Sequence, residues 1–163
     1  MVPSILRAVT WGLVMLAGAV VTQRPGAAQS SESAVAKVQR LVADSGYSNR
    51  HPNATVWVIA AKGPAIGNYD VFVAVSGDIV VIGTVVAKKR QIPLTPAVLQ
   101  ELLRCNHDID YVKVGLDGDG DAFARIEARA QTLEAREFKK DIDQVTAATD
   151  AVYSRIKPYL LSQ

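Results

Sequence analysis

Three aspartates at alternate positions, Asp117, Asp119 and Asp121, place hard oxygens in the way a calcium loop begins. The complete loop also needs glycine at its sixth position and a bidentate glutamate at its twelfth. Those positions are Ala122 and Ala128, so the segment reads as a solvated hairpin turn in which Gly118 and Gly120 supply positive φ. Three carboxylates would also repel a phosphate, and no Lys-Ser/Thr follows the glycines. Cys105 and His107 stand two apart with His51 elsewhere, short of the four or so N/S ligands that a zinc site takes. Cys105 falls three residues after Leu102 on the apolar side of a helical pattern, which reads as a buried structural thiol. Ser76-Gly77 belongs to a tight turn and not to a Gly-x-Ser-x-Gly elbow. Lys88-Lys89-Arg90 is the densest basic run and reads as a solvated loop. These residues assemble no catalytic site, no metal set and no cofactor motif, so the expectation is a protein that is not an enzyme and carries no cofactor.

The N-terminus has a different character. Met1–Arg7 carries one basic side chain, Ala8–Val21 is an uncharged apolar run, and Pro25 with Gly26-Ala27-Ala28 offers a helix break followed by small residues. This is the pattern of a cleavable signal peptide spanning residues 1–28, with Gln29 as the new N-terminus. The fourteen residues of the apolar run reach about 21 Å as a helix, short of a ~30 Å hydrocarbon core, so no stable membrane anchor is expected after processing. The expected location is exported, periplasmic or secreted. Export also corrects the charge. The whole chain has 18 basic and 16 acidic side chains, but Arg7 and Arg24 precede the cleavage point and no acidic residue does. The mature chain is therefore neutral, and nothing electrostatic points to nucleic acid or an anionic membrane as partner.

Residues 29–163 are one domain's worth, and 49% of the chain is apolar, enough for a core. Val35, Val38, Leu41 and Val42 recur at helical spacing, predicting a first helix over Ser33–Ser45 with Gly46 after its end. Asn49–Asn53 reads as a loop. Three β-branched runs follow, Thr55–Ala61, Asp70–Val75 and Ile79–Ala87, with a tight turn at Ser76-Gly77-Asp78. Thr95 with Pro96 at N1 opens a second helix to about Cys105, and Tyr111–Leu116 and Ala122–Arg129 form a hairpin around the aspartate turn. The last helix is expected to be capped by Thr132. Its stripe, Phe138, Ile142, Val145, Thr149, Val152 and Ile156, is spaced 4-3-4-3-4. The order α-β-β-β-α-β-β-α predicts an α+β two-layer domain with a mostly antiparallel five-stranded sheet.

That order, with Gly46-Tyr47 after the first helix and Leu102-Leu-Arg-Cys-Asn-His107 leading into a lysine-containing strand and an acidic turn, resembles the YbjN-like domain family, similar in fold to the type III secretion chaperones. The resemblance covers about residues 33–160. It implies a non-enzymatic module that binds other polypeptides or regulates through them, commonly as a dimer, and carries over no site residues. The neutral charge and the export signal set this chain apart from the acidic, cytoplasmic chaperones. The alternative is a small-ligand binder or enzyme whose site is assembled from loops.

The sheet itself offers a candidate surface. The last two strands alternate, Ala124, Ile126 and Ala128 against Arg125, Glu127 and Arg129, as a sheet with one wet face does. The first three do not. Val56, Val58, Val71, Val73, Val75, Val81 and Val85 group as one apolar set, and Trp57, Ile59, Phe72, Val80, Ile82 and Val86 as the other. Leaving six such side chains in water would forfeit on the order of 10 kcal/mol. The first and last helices cover one face, and the short second helix cannot hide the other. Trp57, Phe72 and Ile82 are therefore the expected surface for a protein partner or homodimer, unless the helices divide between both faces.

Overall fold

In the computed structural model, which describes residues 32–161, the chain is a six-stranded sheet with its helices on one side. The signal-peptide segment lies outside the described residues. Helix α1 (Ala34–Ser45) starts where Ser33 Oγ accepts from the Ala36 N–H at 3.2 Å and stops where Gly46 turns left-handed at φ 78°. Strands β1 (Asn49–Asn53), β2 (Val56–Gly63), β3 (Gly67–Ser76) and β4 (Ile79–Ala87) follow. Helix α2 (Pro96–Asp108), strands β5 (Lys113–Leu116) and β6 (Ala122–Arg129), and helix α3 (Ala135–Ile156) complete the domain. The strand order is β1-β2-β3-β4-β6-β5, and every neighbouring pair is antiparallel.

The sheet thus has six strands where five were expected. The extra strand is Asn49–Asn53, whose sequence NRHPN has neither apolar alternation nor a β-branched residue. It is an edge strand, exposed along its length, and edge positions accept a proline because one backbone side needs no ladder partner. Two helix ends also differ from the expectation. Helix α2 runs on to Asp108, whose carboxylate accepts from Arg155 at 2.6 Å. Thr132 does not cap α3: its hydroxyl donates to the Arg129 carbonyl within a turn, and Glu134 takes the N-cap position. In β5, Tyr111 falls outside the strand because its backbone is left-handed, φ 66°.

The long stripe of α3 is buried as spaced, and Thr149 within it donates to the Val145 carbonyl. Helix α3 lies across β2, β3, β4 and β6, with α1 packed on α3 and β3, and α2 packed on α3 and β5. Polar anchors pin α3 to the sheet and its loops. Tyr69 Oη donates to the Thr146 carbonyl at 3.1 Å, and Asp150 Oδ1 accepts from Ala65 and Ile66 N–H at 2.8 and 3.1 Å. Tyr47 Oη donates to Asp143 at 2.6 Å; burial, with that carboxylate beside it, pushes the phenol up to about 12.

Candidate binding face

Register decides what each face of the sheet presents. Trp57 stands opposite Val73, Val73 opposite Ile82, and Ile82 opposite Ile126. All four are buried on the side covered by the helices, and Trp57 is roofed by His51, stacked at 4.6 Å. The next row runs Val58, Phe72, Gly83, Arg125, Lys113 on the side that carries no helix of the described residues. Trp57 and Ile82 are therefore core, 2% and 0% exposed, while Phe72 belongs to the opposite face. This corrects the expected grouping. The valines Val71, Val73 and Val75 side with Trp57, and Phe72 sides with Val56, Val58, Val81 and Val85. Side-chain alternation within β3 was right; its phase relative to β2 and β4 was inverted. The helices also do not divide between faces, because α2 lies beside α3.

The helix-free face has an apolar centre and charged flanks. Val56, Phe72, Ala74, Val81, Val85 and Phe123 are half-buried there around a buried Val58. Gly83 makes the centre flat: a Cβ at that position would come within 2.8 Å of Arg125 Cβ and 3.0 Å of Phe72 Cζ. Arg125 lays its stem over β4, sets its guanidinium 4.6 Å from the Phe123 ring centroid, and reaches Glu127 at 3.0 Å. Its Nε is buried without a hydrogen-bond partner among the described residues. Lys113 donates to Glu127 at 2.6 Å, and this bond, with the Lys113 and Arg125 charges, holds the Glu127 carboxyl below its ordinary range. On the other flank Arg50 donates to Asp70 at 2.6 Å. A cleft of about 330 Å³ lined by Asp70, Phe72, Val85, Lys88 and Gln91 opens at one end.

The two edges of the sheet are guarded differently. On β5, Val114 N–H donates to Asn106 Oδ1 at 2.8 Å and the Asn106 amide donates back to the Val114 carbonyl, so one side chain of α2 occupies the outer pairing positions of Val114. On β1, Pro52 lacks an N–H, and the register shifts between Arg50 and Asn53. Helix α2 adds a second apolar feature: Val98, Leu102 and Cys105 point inward, while Leu99 and Leu103, one turn apart, are 40% and 71% exposed.

The remaining candidates are accounted for locally. Asp117 Oδ1 accepts from Asp119 and Asp121 N–H at 3.0 and 2.9 Å. Asp121 accepts from Lys88 Nζ and the Lys89 N–H, both at 2.8 Å, and these bonds, Lys88's first, lower its carboxyl. Gly120 has positive φ, 85°, as expected; Gly118 does not. The Cys105 thiol is fully buried and burial pushes its ionisation up.

Two solved structures share this fold. One is the ExoU–SpcU heterodimeric complex from the type III secretion system of Pseudomonas aeruginosa, matched at TM-score 0.51 and 16% identity over 76% of this chain and 97% of that one. The other is YbjN from E. coli, a candidate transcription regulator, matched at TM-score 0.56 and 12% identity over 77% of this chain and 93% of that one. The fold is YbjN-like. It is also related to that of the type III secretion chaperones, as the order of elements had suggested. No protein-family model matches the chain, and no curated protein matches it in sequence.

Proposed function

We propose that this chain is an exported, non-enzymatic module, chaperone-like or regulatory, that seats a segment of another polypeptide on the helix-free face of its YbjN-like sheet. The observation that carries the reading is the apolar centre around Phe72, Val81 and Val85, which no helix of the described residues covers. Asn106 on the β5 edge and Pro52 on the β1 edge both disfavour a further strand, which supports docking against the face. Size favours a segment over a second subunit. Strands about 4.8 Å apart, with two or three facing side chains each, give an apolar area on the order of 200 Å². A stable dimer buries about 800 Å² per partner, so this area fits one extended or helical segment. The heterodimeric assembly named for the ExoU–SpcU neighbour lends support to a polypeptide partner. Export rests on the signal-peptide pattern of residues 1–28 alone.

Val81→Lys tests the face. Val81 is half-buried and points away from the helices, so the variant is expected to fold with unchanged circular dichroism. It is expected to lose the polypeptide that co-purifies with the wild type from the exported fraction, while Lys139→Glu on α3 keeps it. Retention in both variants, or a wild type that purifies alone, contradicts the proposal.

A further inference from the structure

One carboxylate at the rim of the core, nearly buried but with its oxygens open to a pocket, has no hydrogen-bond partner among the described residues. Asp141 lies next to Ile142 at the edge of the α3 stripe and is 6% exposed. Among the described residues no side chain or backbone donor is hydrogen-bonded to its carboxylate, although a buried carboxylate normally has several. The residue lines a pocket of about 290 Å³ between α3 and β6, shared with Tyr111, Ile126, Glu127, Ala128, Glu137, Lys140 and Gln144.

The charges around it narrow what would bind. Glu127 directs its carboxylate to Lys113 and Arg125 on the opposite face. Glu137 and Lys140 meet at 3.7 Å, and the Lys140 ammonium stands 5.9 Å from the Tyr111 ring centroid. Gln144 donates to the Asp110 carbonyl at 2.7 Å. With those pairs formed, one negative charge is left over, that of Asp141. Ile126 and Ala128 give the pocket an apolar wall, and Tyr111, held at φ 66° and 82% exposed, puts an aromatic ring at its mouth. A divalent metal would want six or more oxygens, which one free carboxylate cannot approach. An alkyl chain ending in a cation matches an apolar wall, an aromatic ring and a single buried acceptor.

We propose that this pocket binds a small organic monocation, a primary ammonium or a guanidinium on a short alkyl chain, with Asp141 as its counter-ion. The site is separate from the sheet face and stands whether or not that face takes a polypeptide. Its occupant completes the hydrogen bonding that Asp141 lacks. Burial, with the Glu137 charge nearby, raises the Asp141 carboxyl to about 6, and a bound cation returns it toward the ordinary carboxylate range. Lys140, also nearby, opposes that rise. The same linkage makes binding fall at acid pH, where Asp141 carries a proton.

The test is an amide-resolved NMR titration of the full chain with butylammonium and with butylguanidinium, with butanol as the uncharged control. The expected result is saturable shifts at Tyr111, Ile126 and Ala128 with either cation and none with butanol. Affinity should be about tenfold weaker at pH 5 than at pH 7.5, from the change in ionised fraction of a group titrating near 6. Asp141→Asn, which keeps the shape and removes the buried charge, should abolish the shifts with the fold intact. Lys140→Met should strengthen binding by removing the nearby cation. A peptide of sequence Ala-Ala-Lys-Ala-Ala separates the two sources of such a group: binding as tight as butylammonium points to a partner's lysine, and binding by the free amine alone points to a small molecule. No saturable shift at millimolar cation, equal shifts with butanol, or unchanged binding in Asp141→Asn overturns the proposal.

Discussion

Asp141→Asn also changes stability, and the sign follows from proton linkage. The folded chain holds the Asp141 proton up to about pH 6, whereas a carboxyl at its ordinary 3.8 has already lost it. Between those values the folded state binds more protons than the unfolded one, so stability falls as pH rises from about 4 to 6 and stays low above. The separation corresponds to about 3 kcal/mol in full. The pocket admits water to one side of the carboxylate, and screening of this kind reduces the amount to about 1–2 kcal/mol. Asparagine has the same shape and no charge to bury. Urea unfolding of wild type and variant should therefore show Asp141→Asn more stable by about 1–2 kcal/mol at pH 7.5, with the gap closing near pH 4. Equal stability at pH 7.5, or a gap that widens toward acid pH, would refute the claim that Asp141 is an unpaired buried carboxylate.

Three further outcomes are expected. Asp150→Ala should cost about 2–3 kcal/mol in urea unfolding, because Asp150 Oδ1 holds the Ala65 and Ile66 N–H groups of the β2–β3 turn against α3. Cys105 should react slowly with a thiol reagent in native protein and quickly after denaturation, since the thiol is buried and its ionisation raised; fast native labelling would contradict its placement. N-terminal sequencing of protein from the exported fraction should begin at Gln29, and intact Met1 on membrane-bound protein would contradict processing.

What could be read from the sequence followed from how much each segment decides by itself. Helix α3 carries a 4-3-4-3-4 stripe, and a helix that long can bury only one face, so its core positions were legible down to Thr149. Strand β1 was not legible: its pairing is imposed by β2, and its own residues, Pro52 included, read as loop. In β3 the run Val71-Phe72-Val73-Ala74-Val75 is apolar at every position, so alternation could not say which set faces the helices. Only the register through the β2–β3 and β3–β4 hairpins sets that phase, and Gly83 is the local sign of it, since a glycine within a valine-rich strand marks a close approach from Phe72. Leu99 and Leu103 had a readable signal, because they fall off the Val98, Leu102 and Cys105 stripe by one position each. Asp141 had a weaker one, an acid beside Ile142 in the first turns of a buried helix, where it could equally have pointed to water.

The claim that the helix-free sheet face receives a polypeptide is tested most directly by site-specific photo-crosslinking in the exported fraction. A photoreactive side chain is placed in the full chain at Val81 on that face, at Leu103 on α2, and at Lys139 on α3. The account predicts a discrete polypeptide adduct from Val81 that Phe72→Lys removes, and no such adduct from Lys139. Adducts from Leu103 or Lys139 with none from Val81 would contradict it.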